Sequence, residues 1–396
     1  MHGLPYWRLS GYYFFYFAFI GAFSPYFGLY LQSLKFSAWD IGLLMSQMQL
    51  MRVFGPNLWG WLADRSGRRV PIVRLASLLS LLGFTAFFWL DRLPGMLGAM
   101  AVLAFFWSAA LPLVEALTFD HLREEGAGYS RVRLWGSIGF IVAVLGAGGV
   151  LDHVPAAGIL WICWGVLAGI VVFALALPEA PAAVHHPEAP GVRAILREPR
   201  VQALFAACLA MSAAHGALYV FYSIHLANLG YSRTEVGILW SLGVVAEIGI
   251  FIAMPRLMRR YASQSLLAFS FAVAVVRFLL IGWGADSGLL AFIAQLMHGV
   301  TFGVFHAAAI AAVNRWFPGR AQGRGQALYS SLSFGAGGLL GGLISGWSWD
   351  RVGAGWTYTL SAAFALVGLL LVLAGMRAAP RGPGSPAASE SAGAMQ

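Results

Sequence analysis

Between positions 8 and 378 the chain is a succession of long apolar runs separated by short polar segments, and that alternation leaves few folds open. Hydrophobic residues make up 59% of the 396 positions and charged residues only 10%, where a soluble domain carries about 25%. At roughly 20 residues per crossing, a chain of this length has room for about twelve transmembrane helices. The runs are continuous rather than alternating, which excludes a lipid-embedded β-barrel. An all-α polytopic membrane protein is the expected fold class. Spans are expected near 8–33, 38–63, 70–91, 95–119, 130–152 and 156–178, then 199–227, 234–257, 263–283, 288–316, 321–350 and 354–378.

A net charge of +9 would admit a nucleic-acid partner, but its distribution argues against one. Of the 25 Lys and Arg, 19 fall in the N-terminus, alternate loops and the C-terminal tail. Lys35, Arg92, Arg233 and Arg351 lie in the opposite loops, and Arg52 and Arg277 lie within spans. By the positive-inside rule this bias puts both termini in the cytoplasm. The charge reports topology in a lipid bilayer and not a polyanion. Cys163 and Cys208 both sit in apolar runs, so neither a disulfide framework nor a metal site is indicated, and no cofactor is expected.

Residues 179–198 are rich in Pro, Ala and charge and divide the chain into an N-terminal unit, 1–178, and a C-terminal unit, 199–378. The tail, 379–396, is Gly, Pro, Ser and Ala and is expected to be disordered. The two units repeat without a gap. Ser37-Ala38-Trp39-Asp40-Ile41-Gly42-Leu43-Leu44 matches Ser232-Arg233-Thr234-Glu235-Val236-Gly237-Ile238-Leu239 at an offset of 195. The same offset lays Asp64 on Arg259 and Arg52 on Glu247. Two pseudo-symmetric six-helix bundles with a solute site at the midplane between them are the expected arrangement.

The segment Gly60-Trp61-Leu62-Ala63-Asp64-Arg65-Ser66-Gly67-Arg68-Arg69 reads as a short charged hairpin between two spans. The glycines allow tight turning, Asp64 can face a helix N-terminus, and the arginines mark the cytoplasmic side. This loop resembles, at every defining position, the signature loop of the major facilitator superfamily, Gly-x-Leu-Ala-Asp-Arg-x-Gly-Arg-Arg/Lys. The resemblance implies a twelve-helix alternating-access carrier. In it Gly60, Asp64, Arg65, Gly67, Arg68 and Arg69 form a gate whose acid bonds to the start of a neighbouring helix in the outward-open state.

A charge within hydrocarbon is costly, so each ionisable residue inside a span is a functional candidate facing the bundle interior. These are Arg52, Glu115, His215, Glu247, Arg277, His298 and His306, joined by Arg131 and Arg133 at the start of the fifth span. Acid and base sharing a wet cavity can pair, and protonation of the acid releases its partner. That exchange is the physical basis of proton coupling. Glu115 with Arg133 and Glu247 with Arg277 are the preferred couples, with Arg52 as another partner for Glu247. His298 and His306 lie close to one helical face; a histidine satisfied by a backbone carbonyl is as good a reading of either as a titrating one. Trp135 and Trp240, beside the charges, are placed to stack on an aromatic ring.

Two branches of the superfamily resemble this chain over nearly its whole length. Val114-Glu115-Ala116 with Arg131-Val132-Arg133-Leu134-Trp135-Gly136-Ser137-Ile138-Gly139-Phe140 is similar to the substrate-binding acid and arginine segments of lactose permeases. Glu247, Arg277 and His298 fall at that family's eighth-, ninth- and tenth-helix positions. The closer likeness is to bacterial 3-phenylpropionate permeases, carried by Arg131 to Phe140, Leu239 to Glu247 and Met297-His298-Gly299 with His306. One departure stands out. Three residues after the tenth-helix histidine, where lactose permeases have a proton-releasing glutamate, this chain has Thr301.

The resemblance implies proton-coupled uptake of a small solute, most simply an aromatic monocarboxylate, by a monomeric carrier in a bacterial inner membrane. Arg133 and Arg277 would hold the carboxylate, because guanidinium matches it bidentately. Glu247 or Glu115 would carry the proton, assisted by His298. A sugar or nucleoside symporter is the nearest alternative, and a non-transporting membrane receptor is the alternative of another class. No nucleophile–base pair or metal-ligand cluster marks an enzyme.

Overall fold

The computed structural model describes residues 5–122, 126–179 and 192–376. Most of the expected linker and all of the expected disordered tail lie outside them. The described chain is helical throughout, and ten of its stretches are long and apolar enough to cross a membrane. The last of these, Gln322–Gly375, is two helices, because Gly353 breaks it with φ 80° and ψ 172°. Only glycine adopts that backbone readily, so the chain turns there. The helix Ala38–Ser66 is long enough to span but falls outside the ten. Asp40, Gln47, Gln49, Arg52, Asn57 and Asp64 lower its hydropathy. With it, the described residues form twelve spanning helices.

They are α1 (Tyr6–Ser33), α2 (Ala38–Ser66), α3 (Val70–Thr85), α4 (Leu93–Leu122), α5 (Gly126–Leu151) and α6 (Gly158–Ala176). The second set is α7 (Pro199–Asn228), α8 (Arg233–Arg260), α9 (Ser263–Gly284), α10 (Gly288–Trp316), α11 (322–352) and α12 (354–375). A single helical turn, Arg193–Leu196, precedes α7.

The sequence repeat proves to be a pair of helix starts. Ser37 and Ser232 each cap their helix and receive a carboxylate three residues on, Asp40 and Glu235, in matching capping boxes. Each box satisfies two of the N–H groups that a helix start leaves unpaired. Within the first set α1 packs on α5 and α6, α2 on α4, and α3 on α4 and α6. Between the sets, α2 meets α11 and α5 meets α8, contacts related by the repeat.

Several hydrogen bonds joining the halves gather at one end of the bundle. Asp152, just past α5, accepts from the Arg233 N–H at 2.7 Å, the Thr234 N–H at 3.0 Å and the Thr234 hydroxyl at 2.6 Å. Asp350, at the end of α11, accepts from the Ala38 N–H at 2.9 Å. The Tyr26 hydroxyl bonds to the carbonyls of Val144 and Arg233 at 2.8 and 2.9 Å. Backbones touch here as well: a Cβ on Gly42 would lie 2.8 Å from Gly346 Cα. At the opposite end Asp64 is exposed and Gly60 has open space beside it. The bundle is therefore drawn shut at the Asp152 end.

Candidate functional site

The interior of the second half is built around Arg277 of α9, which is fully buried. Its guanidinium donates to the Ala294 carbonyl at 2.8 Å, the Thr301 hydroxyl at 3.0 Å and the Gln295 side-chain oxygen at 3.3 Å. It also reaches His215 Nε2 at 3.4 Å. Arginine has only donors, so Nε2 must accept. The proton is then on His215 Nδ1, which bonds to the Met211 carbonyl at 2.9 Å. These partners are all neutral. Thr301 supplies an uncharged acceptor to the cation.

The expected Glu247–Arg277 pair does not form. Glu247 lies instead 4.0 Å from His298 Nε2. Glycine makes that approach possible. A Cβ on Gly299 would meet the Ala246 carbonyl at 2.8 Å, and one on Gly303 would meet Ile250 at 3.0 Å, so α10 presses its backbone against α8 at Glu247. Over Gly299–Val304 the helix widens to π geometry, an irregularity that recurs at functional sites. The widened turn keeps His298, Phe302 and His306 on one face, with ring centroids 5.6 and 5.8 Å apart. His306 Nδ1 ends the series at 2.9 Å from the Tyr329 hydroxyl.

In the first half Glu115 of α4 takes the Tyr129 hydroxyl at 3.3 Å. Arg133 has no carboxylate within ion-pair distance among the described residues; its guanidinium lies 3.9 Å over the Phe17 ring. The expected Glu115–Arg133 couple is thus not a direct bridge.

Arg52 of α2 is half-buried and, among the described residues, has neither an ion pair nor a hydrogen bond from its side chain. It lines a cavity between the halves with Phe19, Phe23, Trp107 and Tyr219, and with Ser46 and Gln49. Ser46 Oγ and Gln49 Oε1 are buried without a hydrogen-bond partner in the protein. Ser46, Gln49 and Arg52 recur at i, i+3 and i+6, a polar stripe on one face of a helix. That spacing was the available signal for Ser46 and Gln49, which sequence reasoning missed.

Trp240 lies beside this cavity, its indole N–H bonded to Ser223 at 3.0 Å and its ring 6.3 Å from that of Tyr219. Trp135 points elsewhere, donating to the Tyr6 hydroxyl at 3.0 Å. In the charged hairpin, Gly67 ends α2 in the left-handed conformation. Arg65 lies over Trp61, Arg68 is exposed, and Arg69 pairs with Asp120 while its backbone N–H bonds to Glu179.

Twelve helices in two related sets, with ionisable side chains in the interior of each, make a polytopic membrane protein of the transporter class. The chain belongs to the MFS_1 like family of the major facilitator superfamily, whose profile matches residues 6–360. It is 30% identical over 369 residues to a probable 3-phenylpropionic acid transporter of Escherichia coli K12, covering 90% of this chain and 94% of that one. To the maltose permease of Geobacillus stearothermophilus it is 27% identical, covering 91% and 92%. Among solved structures, the nucleoside transporter NupG superposes with a TM-score of 0.81 at 20% identity over 94% of this chain and 99% of that one. At that identity the likeness shows the fold alone. These relatives are transporters and not enzymes.

Proposed function

We propose that this transporter takes up a small aromatic monocarboxylate, of the kind represented by 3-phenylpropionate, together with a proton. The observation that carries the proton half of this reading is Glu247 at 4.0 Å from His298 in the interior of the bundle. An acid and an imidazole at that separation attract one another when each is charged, and protonation of the acid ends that attraction. Away from water the uncompensated charge is costly, so gain or loss of the proton changes which arrangement of the two halves is comfortable. Glu247 carries the proton and His298 is its partner. Support for the solute comes from the relative named for 3-phenylpropionic acid.

In the same reading residues 1–178 and 199–378 rock against one another about the linker 179–198. The Asp64 end faces the cytoplasm with both termini, in a bacterial inner membrane, and the monomer is the working unit. The arrangement described above is then inward-facing, with Asp64 released from the role it takes in the outward-open state.

Purified protein in proteoliposomes tests this. Labelled 3-phenylpropionate should accumulate only when the lumen is alkaline relative to the outside, and excess maltose or uridine should not compete. Gradient-independent equilibration, or competition by either neutral solute, contradicts the proposal and favours a sugar or nucleoside carrier.

A further inference from the structure

We infer that Arg52 is the specificity-determining residue that holds the substrate's carboxylate, in the cavity where α1, α2, α4, α7 and α11 meet; this rests on the aromatic-acid reading above. Of the other span or near-span guanidiniums, Arg131 is exposed, and Arg277 and Arg133 are engaged. Arg277 is fully buried and spends its donors on Ala294, Gln295 and Thr301. Arg133 has one face against the Phe17 ring. Arg52 alone of the four lines the cavity, and it has no acceptor of its own among the described residues. A half-buried cation inside a span with no counter-ion of its own favours an anion beside it, and a bound carboxylate supplies one with bidentate geometry.

The surroundings fit the rest of such a molecule. Ser46 and Gln49 stand on the same wall as Arg52, their Oγ and Oε1 buried without a hydrogen-bond partner in the protein. Pro56 has no N–H to offer the Arg52 carbonyl one turn back, which leaves that edge of α2 polar as well. Facing them are Phe19, Phe23, Trp107 and Tyr219, enough aromatic surface to enclose one ring. Phe19 and Trp107 already contact one another with centroids 4.5 Å apart, so the apolar wall is assembled before any ligand arrives. The cavity draws on both halves, since Tyr219 and Gly338 belong to the second. A ligand bridging Arg52 to Tyr219 would therefore feel the relative position of the two sets. Arg52 also occupies the repeat position of Glu247, so substrate anion and proton would be handled by equivalent points of the two halves.

The test measures binding to the full-length protein in nanodiscs, with 3-phenylpropionate and its neutral amide, 3-phenylpropanamide, as probes. The variants are Arg52→Met and Arg52→Lys. Loss of a charge-assisted contact should weaken the acid about tenfold to a hundredfold in Arg52→Met. Arg52→Lys should recover part of that loss. The amide's affinity should not move in either variant. Equal affinity of wild type and Arg52→Met for the acid overturns the assignment of Arg52 and leaves the aromatic-acid reading standing. Equal loss of acid and amide also overturns it, because it marks a structural role. Absence of acid binding to the wild-type protein overturns both, and the wild-type trace alone distinguishes that outcome.

Discussion

Asp152 reaches from the end of α5 to the first turn of α8 and there accepts both the backbone N–H and the hydroxyl of Thr234, at 3.0 and 2.6 Å. Asp350 does the equivalent for α2, accepting from the Ala38 N–H at 2.9 Å. Each carboxylate sits at the positive end of a helix in the other half, and each such contact contributes about 0.3–1 kcal/mol. Replacing either by Ala should shift the equilibrium toward opening at that end by about two- to fivefold. Spin labels on cysteines introduced at Asp91 and Asp286, in loops at the same end, read the change as a longer distance distribution. Cys163 and Cys208 are buried and should stay unlabelled.

The same clasp predicts a pH dependence. Slight burial would raise the Asp152 carboxyl, but the Thr234 hydroxyl and the N–H groups of Arg233 and Thr234 outweigh it and hold the group below its ordinary 3.8. A depressed carboxyl contributes its stabilisation above the ordinary value and loses it as pH falls through the lowered one. The wild-type distance should therefore differ from that of Asp152→Ala by a constant amount from about pH 8 to 5, and converge with it only in stronger acid, below about 4. Convergence near neutrality would assign the clasp to another group.

Thr301→Val should destabilise the second half. It removes the oxygen that Arg277 reaches at 3.0 Å and leaves a buried donor unsatisfied. Such a loss costs about 1–3 kcal/mol. Thermal unfolding of the purified protein measures it, and Thr301→Ser, which keeps the hydroxyl, should unfold close to the wild-type temperature.

Gly299→Leu should push α8 from α10, since even a Cβ there would lie 2.8 Å from the Ala246 carbonyl. Overpacking of this kind costs about 1–3 kcal/mol. Gradient-driven uptake should fall in proteoliposomes while the protein still runs as a monodisperse species in detergent. Wild-type uptake in this variant would mean that the Glu247–His298 spacing is not what matters.

Much of the fold was legible in the residues before any coordinates. Continuous apolar runs set helices and membrane, and the repeat at Ser37 and Ser232 turned out to mark two capping boxes. The charged hairpin at Asp64 placed the chain in its superfamily. The contacts among the candidate residues are not legible in the sequence. Which partner Glu247 meets depends on how near α8 and α10 pack, and that is fixed by Gly299 and Gly303, whose spacing reads equally as ordinary helix packing. Arg277 reads from sequence as an ion-pair partner; that its contacts are the neutral groups of Ala294, Gln295, Thr301 and His215 depends on which carbonyls and side chains surround it. Helix α2 shows the converse. Its polar content, which takes it below the hydropathy of a typical span, includes the stripe Ser46, Gln49, Arg52 that lines the cavity.

The central claim is that Glu247 carries the coupling proton. Proteoliposomes bearing Glu247→Gln, which keeps the shape and cannot ionise, test it by comparing exchange of labelled 3-phenylpropionate at equal pH with its accumulation against a gradient. The account predicts that exchange persists and pH-driven accumulation is lost. Full accumulation in the Gln variant would contradict it.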